Sequence, residues 1–116
     1  MLMSFRLSIS LIMILLFSGC ALNGHAPEIT PNGVKYSYRD PLASSVAVVG
    51  SFNHWDSAIN RLAGPDASGI WTITLPLPPG RHEYRFVVND SQWVLDPAAP
   101  AVDDGLGGSN SVIDVP

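Results

Sequence analysis

The 116-residue chain is 47% hydrophobic and 14% charged, with six Lys and Arg against ten Asp and Glu, which gives one modest domain and excludes a second of ordinary size. Residues 1–19 hold a single charge, Arg6, so the remaining 97 residues carry five basic and ten acidic side chains, a formal −5. Such an acidic balance, with no basic strip, excludes electrostatic capture of nucleic acid or of an anionic lipid surface.

From the N-terminus, Arg6 precedes the eleven uncharged residues Leu7 to Phe17. That length suits a signal-peptide hydrophobic region of about 7–15 residues and falls well short of the roughly 20 needed to span a bilayer. The run ends in Leu16-Phe17-Ser18-Gly19-Cys20, which resembles a bacterial lipoprotein signal: small residues before a lone cysteine, and residues 1–19 removed to leave Cys20 as a lipidated N-terminus. Phe17 stands where such signals usually carry Leu. Ordinary secretion with cleavage after Ala21 is the competing reading. Ala21, rather than Asp, is similar to the outer-membrane sorting pattern of Gram-negative lipoproteins, so the expected location is the cell envelope, with the membrane reached through lipid on Cys20. An acylated Cys20 leaves no cysteine for a disulfide, a metal or a nucleophile. The fold then rests on packing alone, which 97 residues permit.

Residues 20–33 are poor in large apolar side chains and contain Gly24, Pro27, Pro31 and Gly33, the composition of a flexible tether. Residues 34–116 form the folded body. There, short β-branched and aromatic runs alternate with Gly, Pro and Asx punctuation, and no window has capped helical spacing. The predicted strands are Val34 to Tyr38, Ser45 to Gly50, Ile70 to Leu75, His82 to Asn89, Gln92 to Val94 and Ser111 to Val115. The fold class is all-β, a sandwich of about seven short antiparallel strands. Trp71, Ile73 and Leu75, and likewise Tyr84, Phe86 and Val88, alternate toward the core, which turns Glu83, Arg85 and Val87 outward. Pro76 to Gly80 breaks the ladder, and Asn89-Asp90-Ser91 turns the chain into Gln92-Trp93.

Val49-Gly50-Ser51-Phe52-Asn53-His54-Trp55, then Leu75 to Gly80 with His82-Glu83-Tyr84-Arg85-Phe86-Val87-Val88, then Gln92-Trp93, Asp96-Pro97 and Gly105-Leu106-Gly107 with Asn110 together resemble the family 48 carbohydrate-binding module. That family includes the glycogen-binding domain of the AMP-activated protein kinase β subunit and the early-set domains of branching and debranching enzymes. The resemblance implies an immunoglobulin-like β-sandwich that binds α-1,4-glucan without cutting it. By position it implies Trp55 and Trp93 as stacking residues, Arg85 and Asn110 as hydroxyl-bonding residues, and Leu106 as a leucine projecting through the curve of the glucan. Gly108 departs from the pattern, which has a hydroxyl-bearing Thr.

The chemistry agrees with these residue types. A pyranose face of C–H groups buries on a flat indole, and its rim of hydroxyls needs planar donors and acceptors. About 60 Å² of apolar surface covered per indole is worth on the order of 1.5 kcal/mol, and the whole site then holds glucan with a Kd between about 10 μM and about 1 mM. The competing reading for Trp55 and Trp93 is packing at the rim of the two sheets. For Arg85 it is a solvated pair with a neighbouring acid, and for Asn110 a backbone contact before the last strand. Trp71 and Phe52 are expected in the core, with Asn53 capping a turn.

No catalytic constellation is expected. His54 and His82 lie in separate segments, no Gly-x-Ser-x-Gly or His-Glu-x-x-His is present, and Asp90, Asp103 and Asp104 read as acids on solvated loops. Nor does the sequence carry metal-ligand spacing or a cofactor-binding motif. Beside the glucan-binding reading stands an interaction domain of the same fold, with little sugar binding and an unidentified envelope protein as partner.

Overall fold

The structure, a computed structural model, describes residues 25–116. The leader, Cys20 and the start of the tether lie outside the described residues. Among the described residues there are eight strands: β1 (Glu28–Thr30), β2 (Gly33–Arg39), β3 (Val46–Gly50), β4 (Ile70–Leu75), β5 (Gly80–Val88), β6 (Gln92–Val94), β7 (Ala101–Asp103) and β8 (Ser109–Val115). They form a three-stranded sheet, β1-β2-β4, and a five-stranded sheet, β3-β5-β8-β7 with β6 also paired to β5. All pairings are antiparallel, giving the all-β sandwich that the alternating patterns predict.

Two strands depart from the sequence reading. Residues 28–33, assigned to the tether, form β1 and its turn: Ile29 pairs with Val34, and the Thr30 hydroxyl donates to the Gly33 carbonyl at 2.7 Å. β7 closes the far edge against β8. Each has only three residues, too few to show a period of two, and β6, just as short, is legible only through the turn before it.

The inward faces behave as alternation requires. β2 and β4 pair Tyr36 with Ile73 and Tyr38 with Trp71, and β3 and β5 pair Val48 with Phe86 and Val46 with Val88. Between the sheets, Tyr36, Tyr84 and Phe86 form an aromatic centre. The Tyr36 and Tyr84 ring centroids lie 4.8 Å apart, edge to face, a geometry that adds about 0.5–1.5 kcal/mol to the burial itself. Trp71 is 5% exposed, and its indole N–H donates to the Asp40 carbonyl at 2.8 Å. Beneath Tyr84, the buried Asp96 carboxylate accepts the Tyr84 hydroxyl at 2.7 Å and the Ala98 amide at 2.9 Å.

The long connection between β3 and β4 stitches the sheets together. Leu62 N–H donates to the Val46 carbonyl at 2.8 Å, and Ala63 and Thr72 exchange two backbone bonds of 2.9 Å. The same connection carries Trp55 over the outer face of the five-stranded sheet, where it packs on Ala47, Val49 and Val87. Val87 therefore points outward, as its alternation predicts, and is nonetheless buried.

Candidate functional site

The outer face of the five-stranded sheet gathers side chains far apart in sequence. Glu83, Arg85 and Val87 share a face because they lie two apart on β5. Register places Val49 opposite Arg85, Ala47 opposite Val87, Trp93 opposite Val87 and Val112 opposite Glu83. An open groove of about 640 Å³ lies across this face, and Trp55, Arg85, Trp93, Leu106 and Asn110 all line it. Those five are the residues named from the sequence.

Local chemistry sets each position. Asn53 is buried; its Oδ1 accepts the Gly50 amide at 3.0 Å, and its Nδ2 donates to the Val48 carbonyl at 2.9 Å and to Asn60 Oδ1 at 2.7 Å. This clamp, the turn role expected of Asn53, forces the chain to reverse, so His54 and Trp55 adopt φ of 58° and 57° and the Trp55 amide returns to the Gly50 carbonyl at 3.0 Å. Two successive left-handed residues with bulky side chains cost on the order of 1–3 kcal/mol each, offset by the clamp and by the seating of the Trp55 indole. Trp93 follows a second left-handed pair, Asn89 and Asp90 at φ 53° and 64°, residue types that tolerate this region. Its side chain is 46% exposed.

On the opposite rim, Leu106 is 90% exposed between Gly105 and Gly107, whose φ of 80° and 91° suit glycine. Asp104 holds this loop. Its Oδ1 accepts the Leu106 amide at 2.7 Å and the Gly108 amide at 3.0 Å, while its own amide donates to the Gly108 carbonyl at 3.0 Å. Those two amides, with the Arg85 guanidinium alongside, keep its carboxyl below the usual carboxylate range.

A polar chain crosses the groove floor. Asn110 Nδ2 donates to Glu83 Oε1 at 3.1 Å, Arg85 Nε donates to Asn110 Oδ1 at 2.9 Å, and Arg85 Nη2 donates to Asp104 Oδ2 at 3.3 Å. Arg85 thus has both an acid partner and a place in the groove. Three of its five N–H groups and one amide hydrogen of Asn110 have no side-chain partner in this network. Two arginines, Arg81 and Arg85, and two acids, Glu83 and Asp104, line the groove, so their formal charges cancel. Free donors and acceptors, interleaved between two indoles and a leucine, form a surface matched to a neutral polyol with apolar faces.

Sequence reasoning passed over Ser51, Arg81, Glu83 and Asp104, which also line the groove. Glu83 had a signal, its two-residue spacing from Arg85. Asp104, expected on a solvated loop, is instead only 14% exposed at its side chain. The correction follows from the tight loop that wraps its own amides around the carboxylate.

Fold and groove define a small β-sandwich module with an open groove across the outer face of one sheet. Residues 34–116 match the family described as the glycogen recognition site of AMP-activated protein kinase, and the chain belongs to that family. The mouse 5'-AMP-activated protein kinase subunit beta-2 is 40% identical over 90 residues, covering 78% of this chain and 31% of the mouse protein. The pig subunit beta-1 is 39% identical over 70 residues, covering 60% of this chain and 53% of the pig protein. The 1,4-alpha-glucan branching enzyme of Nitrosospira multiformis is 38% identical over 58 residues, covering 50% of this chain and 8% of the enzyme. The chain therefore spans less than two thirds of the length of each of these relatives.

Proposed function

We propose that this domain is a non-catalytic binder of α-1,4-glucan (glycogen, starch or maltodextrin), held at the bacterial cell envelope by lipid on Cys20. The observation that carries the reading is the placing of Trp93 and Leu106, two strongly exposed apolar side chains, on either side of the Arg85 and Asn110 hydrogen-bonding pair. Large apolar groups left in water beside directed polar groups mark a ligand surface. Sugar rings stack on Trp93 and Trp55, hydroxyls meet the unused donors of Arg85 and Asn110, and Leu106 fills the concave side of the curved chain. Membership of a glycogen-recognition family supports the same ligand.

The geometry of the groove favours binding over catalysis. Glycoside hydrolysis needs two carboxyl groups held free on either side of the scissile bond, whereas Asp104 is tied to Arg85 and to two loop amides and Glu83 to Asn110. Branching enzymes such as the Nitrosospira relative are many times longer than the matched segment, which leaves ample chain elsewhere in those proteins for chemistry.

Titration with maltoheptaose and β-cyclodextrin, followed by heat and tryptophan fluorescence, tests the reading. Saturable binding in the range of about 10 μM to about 1 mM, lost in Trp93→Ala, establishes the glucan-binding part of it. No response at about 5 mM ligand, above the weak end of that range, transfers the surface to a protein partner.

A further inference from the structure

We infer that Asp104 is itself a ligand-contacting residue, its Oδ2 accepting a sugar hydroxyl in the space that a side chain at position 108 would otherwise fill. The inference rests on the glucan-binding reading above and adds a contact that the five sequence-named residues do not supply. Position 108 is glycine, and a Cβ built there would lie 2.9 Å from Asp104 Oδ2 and 3.5 Å from Arg85 Nη2. The carboxylate occupies that corner, and the missing side chain leaves it open to the groove that both residues line.

The two oxygens of Asp104 differ in what remains available. Oδ1 takes two backbone amides at 2.7 and 3.0 Å and is saturated. Oδ2 has one partner, Arg85 Nη2 at 3.3 Å, long for a charge-assisted bond, so its acceptor capacity is largely unused. A carboxylate oxygen beside a guanidinium offers an acceptor next to a donor. Two neighbouring hydroxyls of a pyranose fit that pair: one donates to Asp104 Oδ2, and the other accepts from Arg85. A phosphate or carboxylate in the same place would meet a fixed negative charge, so the contact also selects neutral sugar over anionic ligands.

The test is calorimetric titration of the purified protein with β-cyclodextrin for Asp104→Asn, Leu106→Ala and the double variant, with thermal unfolding recorded in parallel and Trp93→Ala as the reference for the site. The substituted carboxamide retains an oxygen for the loop amides and sets an N–H donor where Oδ2 stood. The expected result is an affinity loss of about tenfold, the loss of one charge-assisted bond, with the unfolding temperature held and the same tenfold loss when Leu106 is already replaced by alanine. A residue that merely holds the Leu106 loop costs nothing once Leu106 is gone, and that outcome overturns the proposal. Asp104→Ala combined with Gly108→Thr, which returns a hydroxyl to the vacated corner, is expected to recover part of the affinity. Undiminished binding by Asp104→Asn while Trp93→Ala abolishes it overturns the inference and leaves the glucan reading standing. No binding by the unsubstituted protein removes the glucan reading, and the inference with it.

Discussion

Arg85 Nε donates to Asn110 Oδ1 at 2.9 Å, and this one bond turns two residues from different strands into a single rigid hydrogen-bonding surface. Asn110 is almost fully buried, so its carbonyl oxygen depends on Arg85. Arg85→Ala is expected to abolish glucan binding and to cost about 1–3 kcal/mol of stability, the penalty of an orphaned buried acceptor. Arg85→Lys keeps the charge but not the planar fork, and should bind several-fold more weakly with stability within about 1 kcal/mol of the parent. Chemical denaturation beside glucan titration checks both. Equal affinity in parent and Arg85→Lys would show that charge alone matters here.

The two groove tryptophans divide burial and binding differently. Trp93 is 46% exposed, so Trp93→Ala should remove binding while lowering stability by less than about 1 kcal/mol. Trp55 is half-buried on Ala47, Val49 and Val87. Trp55→Ala should therefore remove binding and also cost about 2–4 kcal/mol, short of a fully buried aromatic truncation. Urea unfolding of the two variants decides the matter. Similar losses in both would mean that the competing rim-packing role expected from the sequence describes Trp93 as well.

What the sequence disclosed follows from the range of the interactions. Alternation in β4 and β5 is local, so the inward set of Trp71, Tyr84 and Phe86 and the outward set of Glu83 and Arg85 were legible. The Asn53 turn was legible for the same reason, since its partners lie within seven residues. β1 and β7 were not: three residues carry no period, and the equally short β6 was legible only through the Asn89-Asp90-Ser91 turn before it. Val87 is buried only because a distant connection lays Trp55 over it. The role of Asp104 was hidden most deeply. It depends on the approach of Arg85, nineteen residues away, and on the absence of a Cβ at Gly108, neither of which a local pattern records.

Asn53 positions Trp55 without touching the groove, so its loss separates clamp from contact. Asn53→Ala leaves the Gly50 amide and the Val48 carbonyl without their bonds to this side chain. The expected cost is about 2–4 kcal/mol, on the order of 1–3 kcal/mol for each unsatisfied buried group, accompanied by weaker glucan binding as His54 and Trp55 relax from their left-handed φ. Thermal unfolding and glucan titration together read the effect. Full affinity in a destabilised variant would show that the sheet, rather than the turn, holds the Trp55 indole in place.

Burial raises the Asp96 carboxyl above its ordinary value of 3.8, partly offset by the bonds from the Tyr84 hydroxyl and the Ala98 amide. A folded-state pKa above the unfolded one means that the native state holds this proton more tightly. The group's contribution to stability is therefore greatest below the unfolded value and declines as pH rises through the folded value. The loop carboxylates Asp66 and Asp104 are shifted down and act in the opposite direction, so the stability of the parent alone mixes the two effects. Comparison with Asp96→Asn isolates the buried group, because Asp66 and Asp104 are common to both chains. Tyr36 and Tyr84 are pushed well above their ordinary value by burial and stay neutral throughout this range. Urea unfolding between about pH 3.5 and pH 7 should show the parent losing stability relative to Asp96→Asn as pH rises, with the difference levelling off once Asp96 is fully ionised. A difference that is flat with pH would mean that the Tyr84 and Ala98 bonds fully compensate the cost of burying the charge.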